Sequence, residues 1–331
     1  MSLKHANISI FVPHIGCPNK CSFCNQRYIT GTAKAPREND VLKAVKAAKT
    51  SPKFNPEVTE IAFFGGSFTA INRNYMLTLL KAASKAVEEG NAKGIRISTR
   101  PDAIDEEILT LLKEYNVTAI ELGAQSLDNK VLKLNNRGHS VSDVVKASKL
   151  IKDFGFELGL QIMTGLFGET EESITKTAQK VIAINPDTLR IYPTIVLKDT
   201  YLAALYSDKI YQPQSLEEAV ELCSYLYEKF TGVGIRVIRL GLHSIEENAY
   251  IAGPWHPAFS ELCQSRIMLN KALNMLEDKG NYKIFVNKSD VSKMIGQRKT
   301  NIEILKEKGY NCKVSPLENL NELEIEIERE V

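Results

Sequence analysis

No run of about 18 apolar residues occurs in this 331-residue chain, and Met1 to Asn7 carries no apolar signal-peptide stretch. These absences predict a cytoplasmic protein with no membrane partner. Without an export signal, the six cysteines are not read as three disulfides. No G-x-G-x-x-G follows the first β-rich stretch, which argues against a dinucleotide fold. Charge of either sign is nearly balanced, at +2 net, so the chain as a whole does not advertise a polyanionic partner. What is present is ordinary globular composition, 44% hydrophobic and 25% charged, with enough length for a full core.

Short β-rich runs alternate with helical stretches along most of the chain. Strands are expected at Asn7 to Val12, Val58 to Phe64, Gly94 to Ser98, Val117 to Leu122, Phe156 to Met163 and Asp187 to Tyr192. Between them lie helical stretches at Glu38 to Lys49, Arg73 to Glu89, Ala103 to Tyr115, Ser140 to Phe154 (Ser140 as N-cap) and Glu169 to Ile184. This alternation predicts about six parallel βαβ units, with Ile235 to Leu240 as a further strand. Periodicity alone leaves a barrel and an open doubly wound sheet both possible. Leu216 to Phe230 and Pro257 to Leu276 read as further helices, and Lys279-Gly280 as a boundary.

The densest chemistry is Cys17-Pro18-Asn19-Lys20-Cys21-Ser22-Phe23-Cys24, directly after the first strand. Three thiolates at this spacing can hold three irons of a cubane 4Fe–4S cluster and leave the fourth iron open. The other donor set is a zinc knot with His14 or His5 as fourth ligand, but no second C-x2-C completes a paired pattern. Cys223, Cys263 and Cys312 lack local spacing and read as structural thiols.

The C-x3-C-x2-C spacing, with Phe23 before the last cysteine, resembles the signature of the radical SAM superfamily. The resemblance implies a 4Fe–4S cluster on Cys17, Cys21 and Cys24 whose open iron chelates S-adenosylmethionine. One electron then splits the sulfonium and releases a 5′-deoxyadenosyl radical that takes hydrogen from a substrate. It also implies an α/β fold, a TIM-like partial (β/α)6 barrel, and a reductant such as flavodoxin or ferredoxin. Gly65-Gly66-Ser67 follows the second strand, where these enzymes receive the methionine end of the cofactor. Ser98, Gln125, Arg137 and Gln161 stand at or near the ends of successive units and suit a ribose and a carboxylate.

Gly123-Ala124-Gln125-Ser126, Asn136-Arg137-Gly138-His139, Ile162-Met163-Thr164-Gly165-Leu166 and Leu189-Arg190-Ile191-Tyr192-Pro193-Thr194 are similar to stretches of the catalytic Elongator subunit, a tRNA-uridine modifier. They are more distantly similar to oxygen-independent coproporphyrinogen oxidase. The resemblance covers about residues 8 to 230. Those families tend to carry glutamate where Ser98 stands, and the Elongator group tends to carry histidine where Gln161 stands. No acetyltransferase stretch follows, so the acetyl-CoA-dependent reaction is not carried over. Lys198 reads as a surface lysine. Trp255, His256 and His243 lie in or near a Gly/Pro-rich segment that could close the barrel mouth, with packing or capping as their default roles.

Met294-Ile295-Gly296-Gln297-Arg298-Lys299-Thr300-Asn301-Ile302 resembles the I-G-x-x-G turn of KH RNA-binding domains, with Lys299 in place of the second glycine. Asn281 to Lys313 holds eight Lys/Arg and three acids, whereas Val314 to Val331 holds six acids and one Arg. Such polarity suits a phosphate-contacting module, for which Lys293, Gly296, Gln297, Arg298 and Lys299 are the candidate RNA contacts. The expected organisation is a barrel over 1–255, a helical connector over 256–280 and a small KH-like α+β domain over 281–331. The expected function is radical chemistry on an RNA, foremost tRNA. A small-molecule or tetrapyrrole enzyme with a structural tail is one alternative, and a non-enzymatic cluster- or zinc-containing RNA-binding protein is another.

Overall fold

The computed structural model describes residues 5–13, 17, 20–25, 28, 34–242, 245 and 248–330. Its main sheet has seven parallel strands in sequence order: β1 (Ala6–Val12), β2 (Thr59–Gly65), β3 (Gly94–Thr99), β4 (Val117–Gln125), β5 (Glu157–Thr164), β6 (Thr188–Pro193) and, past a two-residue β7 (Val196–Leu197), β8 (Arg236–Leu240). The expected further strand is thus the seventh member of the sheet. Helices α1 (Glu38–Lys49), α2 (Arg73–Glu88), α3 (Glu106–Glu114), α5 (Val141–Asp153), α6 (Glu171–Ile184) and α8 (Leu216–Thr231) follow successive strands. Two shorter helices, α4 (Asn129–Leu134) and α7 (Tyr201–Ser207), were not foreseen from periodicity. They are too short to show a 3.6-residue repeat. Ser140 caps α5 as expected, accepting a hydrogen bond from the Asp143 N–H.

Strand residues divide by face. Ile95, Ile97, Ile120, Leu122, Leu158, Leu160 and Ile191 pack with Leu79, Leu109, Val144 and Ala178 of the helices in one apolar core. The alternate residues Glu60, Arg96, Glu121 and Arg190 point the other way and are also buried. Arg96 donates through Nε to Glu60 at 2.7 Å, and through its terminal nitrogens to Glu121 at 3.3 Å and Glu157 at 2.8 Å. Arg190 grips Glu121 with two bonds of 2.8 Å. Two of these pairs, β3 to β5 and β4 to β6, skip a strand, a span of about 9.6 Å that long Arg and Glu side chains bridge. The sheet curls as a half-barrel around this charged interior. Gly159 makes room: a Cβ there would lie 2.8 Å from Glu121 Cγ.

A second core lies beyond the barrel. β10 (Gly280–Val286) pairs in parallel with β11 (Tyr310–Pro316) and antiparallel with β12 (Ile325–Glu330), with β10 central. Helices α10 (Val291–Ile295) and α11 (Thr300–Glu307) cross over between β10 and β11. The preceding helix α9 (Phe259–Met275) belongs to both cores. Its Phe259 and Cys263 are in the barrel core, and its Met268, Leu269 and Ala272 are in the second. Asn301 of α11 is buried and donates to the Ser265 carbonyl of α9 at 3.0 Å, fastening the two. Between α8 and α9 lies β9 (Tyr250–Ala252), which pairs with β7.

Burial pushes the Glu60 carboxyl up, but the His5 hydrogen bond and the Arg96 guanidinium outweigh it and hold the group at about 2. Its folded value lies below its unfolded one, so its stabilisation is complete above about pH 4.5 and is lost as pH falls toward 2. Urea midpoints measured from pH 6 downward are expected to show this loss, and Glu60→Gln to remove that component. Arg96→Met, which leaves three carboxylates facing one another, is expected to cost about 3–5 kcal/mol in the same measurement.

Candidate functional site

The C-terminal ends of β1 to β6 open toward one mouth, as in barrel enzymes generally. The cysteine loop follows β1 there. Cys24 lines a cavity of about 230 Å³ together with Gly65, Ser98, Gln125, Gln161 and Arg190. Sequence-predicted residues from four strands and the cysteine loop thus meet in one place. Phe23 is buried against Met163, Leu166 and Leu202, with Cys21 and Cys24 packed beside it. The Ser22 hydroxyl donates to Asn135 Oδ1 at 2.6 Å and its N–H to the Asn135 carbonyl at 3.1 Å, which clamps the loop onto the end of α4.

The thiols sit in an environment that resists lone thiolates. Burial, reinforced by the Cys21 and Cys17 sulfurs, pushes Cys24 up to about 12. Burial raises Cys17 as well, opposed by a hydrogen bond from the Ser67 backbone N–H. Arg137 donates to Cys21 Sγ at 3.0 Å and to the Gly123 carbonyl at 2.5 Å. A donor set of neighbouring buried sulfurs becomes stable when bound to iron, which deprotonates thiols. Among the described residues no three His, Cys, Asp or Glu side chains converge tightly enough to hold a single metal ion. A cubane does not need that convergence, because each thiolate meets a different iron.

The zinc alternative loses one of its fourth ligands. His5 precedes β1 and bonds Glu60 at 2.7 Å, whereas Cys17 follows the far end of that seven-residue strand. At about 3.3 Å per residue the two are some 20 Å apart. His14 lies outside the described residues.

Around the thiols, buried polar atoms wait for partners. Among the described residues Gln125 Oε1 and Arg137 Nε have none, and Gln125 is held at φ 64° by a bulge that turns it into the mouth. Gly65 has φ 109°, and a Cβ on it would lie 2.6 Å from the Val12 carbonyl oxygen. Gly66 lies under Pro13, with 3.1 Å between its absent Cβ and that carbonyl. These features fit a small polar cofactor lying across β2, β4 and the cysteine loop. The Ser67 hydroxyl is spent elsewhere, on Thr99 Oγ1 at 2.9 Å and the Arg100 N–H at 3.1 Å, so only its backbone faces the sulfurs. Ser98 and Gln161 both donate to Glu121, at 3.5 and 3.1 Å.

Four residues of the mouth were missed from sequence. Arg190, Phe64 and Tyr192 line it, with Arg190 stacked 5.1 Å from the Phe64 ring, and Glu121 supports it from behind through Arg190 at 2.8 Å. The available signal was a charged residue in the middle of an apolar strand, as in T-A-I-E-L-G and T-L-R-I-Y-P. Lys198 is exposed as expected. His256 accepts the Ala258 N–H at 3.1 Å, a capping role, and His243 lies outside the described residues. Cys223 and Cys263 are buried core thiols and Cys312 is half-buried.

In the C-terminal unit the I-G-x-x-G-like turn is present. Gly296 has φ 79°, and Lys299, at the second glycine position, keeps the left-handed φ of 67°. Gln297, Arg298 and Lys299 are exposed. Lys293 is not available for RNA: it pairs with Asp290 at 2.7 Å and Glu322 at 3.1 Å. Sequence spacing could not reveal a partner 29 residues away.

A sequence profile of the radical SAM superfamily matches residues 11–181, and one of a radical SAM C-terminal domain matches residues 186–268. The tRNA uridine(34) acetyltransferase of Methanocaldococcus infernus is 31% identical over 186 residues, 50% of this chain and 35% of that protein. An uncharacterized protein of Methanocaldococcus jannaschii is 28% identical over 276 residues, 82% of this chain and 79% of that one. The structure of the archaeal Methanocaldococcus infernus Elp3 with an N-terminal deletion superposes with a TM-score of 0.67 at 24% identity, over 81% of this chain and 63% of that one, and establishes the shared fold. The chain spans about a third to a half of the length of the uridine acetyltransferases it matches. Gly65→Ala is expected to cost about 1–3 kcal/mol, because it forces a side chain into a left-handed backbone against β1. A lowered urea midpoint with an unchanged slope checks this.

Proposed function

This chain belongs to the radical SAM superfamily and is a radical S-adenosylmethionine enzyme, and from that premise we propose that it modifies an RNA, foremost a tRNA. Cys17, Cys21 and Cys24 hold the 4Fe–4S cluster in this reading. Gly65 and Gly66 give the cofactor's methionine end a close backbone approach. Arg137 neutralises a carboxylate beside Cys21, and Gln125, Ser98 and Gln161 orient the ribose. When bound, cluster and S-adenosylmethionine supply a 5′-deoxyadenosyl radical. The protein's own contribution is a mouth behind which Arg190 and Glu121 stay paired with each other at 2.8 Å. Members of the family generally bind such a cluster and cofactor.

The single observation that carries the radical reading is the convergence of the cysteine loop with Gly65 and Gln125 at one mouth, with Arg137 bonded to Cys21 beside it. The RNA half is supported by the uridine-modifying relatives and by an exposed Gln297-Arg298-Lys299 turn. Family membership sets aside the non-enzymatic alternative. One observation favours a small-molecule substrate with a structural tail: Lys293 is consumed by internal ion pairs.

Anaerobic reconstitution with iron and sulfide, then dithionite and S-adenosylmethionine, tests both halves through the yield of 5′-deoxyadenosine. Wild type is expected to form it, more so with bulk tRNA, and Cys21→Ala to lose both the cluster's absorbance and the product. Yield indifferent to tRNA would favour the small-molecule substrate. Arg298→Ala and Lys299→Ala are each expected to weaken tRNA binding and to lower the slope of log affinity against log salt by about 1. Filter binding at several salt concentrations measures this, and an unchanged slope would remove the turn from the RNA interface.

A further inference from the structure

A second cavity, of about 1160 Å³, opens between the loop after β5, the loop after α7 and the first half of α8. It exceeds the roughly 300–1,000 Å³ of an ordinary small-molecule site. None of the candidate cofactor or RNA contacts lines it. Its lining is strongly acidic. Glu169 comes from the loop after β5, Glu171 from the start of α6, and Glu217, Glu218 and Glu221 from α8. Among the described residues the one cation on the lining is Arg266 of α9, which bonds both Glu217 and Glu221, the latter at 2.5 Å. Five carboxylates against one guanidinium leave the cavity negative.

The inner end of the cavity is built around Gly165. This residue has φ 73°, and its N–H donates to Glu169 Oε2 at 2.6 Å. The Tyr211 hydroxyl donates to its carbonyl at 2.7 Å. The Gln214 amide oxygen lies against the same residue, 2.7 Å from where a Cβ on Gly165 would stand. Glu169 Oε1 and Gln214 Oε1 are both buried, and among the described residues neither has a hydrogen-bond partner. Two bare acceptors beside one glycine call for N–H donors from a ligand. Burial pushes the Glu169 carboxyl up to about 8, against the pull of the Gly165 N–H. Tyr211 and Cys223, which face it, are pushed up by burial as well and offer it no positive charge.

How the acids are spread limits what the ligand can be. Among the described residues no three of them converge tightly enough to hold a metal ion. Along α8 the lining runs from Glu217 to Tyr225, about 12 Å at 1.5 Å per residue. Phe167, Leu222 and Tyr225 stand among the carboxylates. Cationic nitrogens spaced along a slender apolar chain match this alternation. The nitrogens meet carboxylates and aromatic faces, and the methylenes meet Leu222 and Phe167.

We propose that this cavity binds a linear aliphatic polyamine, one terminal ammonium donating to Glu169 Oε1 and Gln214 Oε1 and the further nitrogens held by the carboxylates of α6 and α8. The proposal depends on neither the cluster nor the RNA reading. An ammonium beside Glu169 favours the ionised carboxylate, so near neutral pH binding releases a proton to the buffer.

The test titrates spermidine into the full chain by calorimetry, with magnesium chloride as the compact cation and a capped trilysine peptide as the macromolecular source of the same groups. One spermidine per chain is expected to bind, more weakly as salt rises and several-fold more tightly at pH 7.5 than at pH 6.5. The heat should change with the ionisation enthalpy of the buffer, which marks the released proton. Glu169→Gln is expected to weaken binding about tenfold or more and to remove both the pH rise and the buffer dependence. Ile210 lines the rim and is 59% exposed, so Ile210→Lys should place a competing cation there and weaken binding without lowering the urea midpoint. Should Glu169→Gln fail to fold, Ile210→Lys decides alone. Wild type that does not bind spermidine, or binding unchanged in the variants, would overturn the proposal. Magnesium or trilysine binding as tightly as spermidine would overturn it too.

Discussion

Charge buried inside the half-barrel is the constraint on which the rest of the structure depends. Arg96 stands inside a ring of Glu60, Glu121 and Glu157, and Arg190 closes on Glu121 from β6. Each pair loses its hydration, so each is tolerable only with good geometry and with every partner present. That requirement fixes the register of β2 through β6 relative to one another, because a slip of one residue would carry a charge to the helix-covered face. An interior of Val, Ile and Leu would fill the same space with less demand on register. The ion pairs hold the strands and at the same time make a floor at the mouth.

The mouth inherits its order from that floor. Glu121 receives Arg190 from one side and Ser98 and Gln161 from the other, so two candidate cofactor contacts are anchored to one carboxylate. Above this layer the chain leaves Gln125 Oε1 and Arg137 Nε unpaired. Both atoms adjoin the mouth, where a polar ligand would satisfy them.

Much of this was legible in the sequence. The strands and long helices follow from apolar periodicity, Ser140 from capping chemistry, and the cluster loop from three cysteines in eight residues. Gly65, Gln125 and Gln161 were placed at one mouth by parallel topology, which sends every strand's end the same way. What stayed hidden depends on distances between strands. The Arg96 network joins four strands, and no local pattern pairs Arg96 with Glu157, 61 residues on. Lys293 read as an exposed cation because its partner Glu322 comes from a turn before the last strand. His5 stood beside His14 as an alternative fourth ligand of a zinc knot, and its bond to Glu60 at the start of β1 removes it.

Helix α9 carries a consequence for how the molecule holds together. Its first half lies in the barrel core and its second half in the core of β10, β11 and β12. A helix shared in this way makes the two bodies one cooperative unit, since neither can come apart without exposing apolar surface of the other. Free energy gained by a ligand on either body is then felt by both.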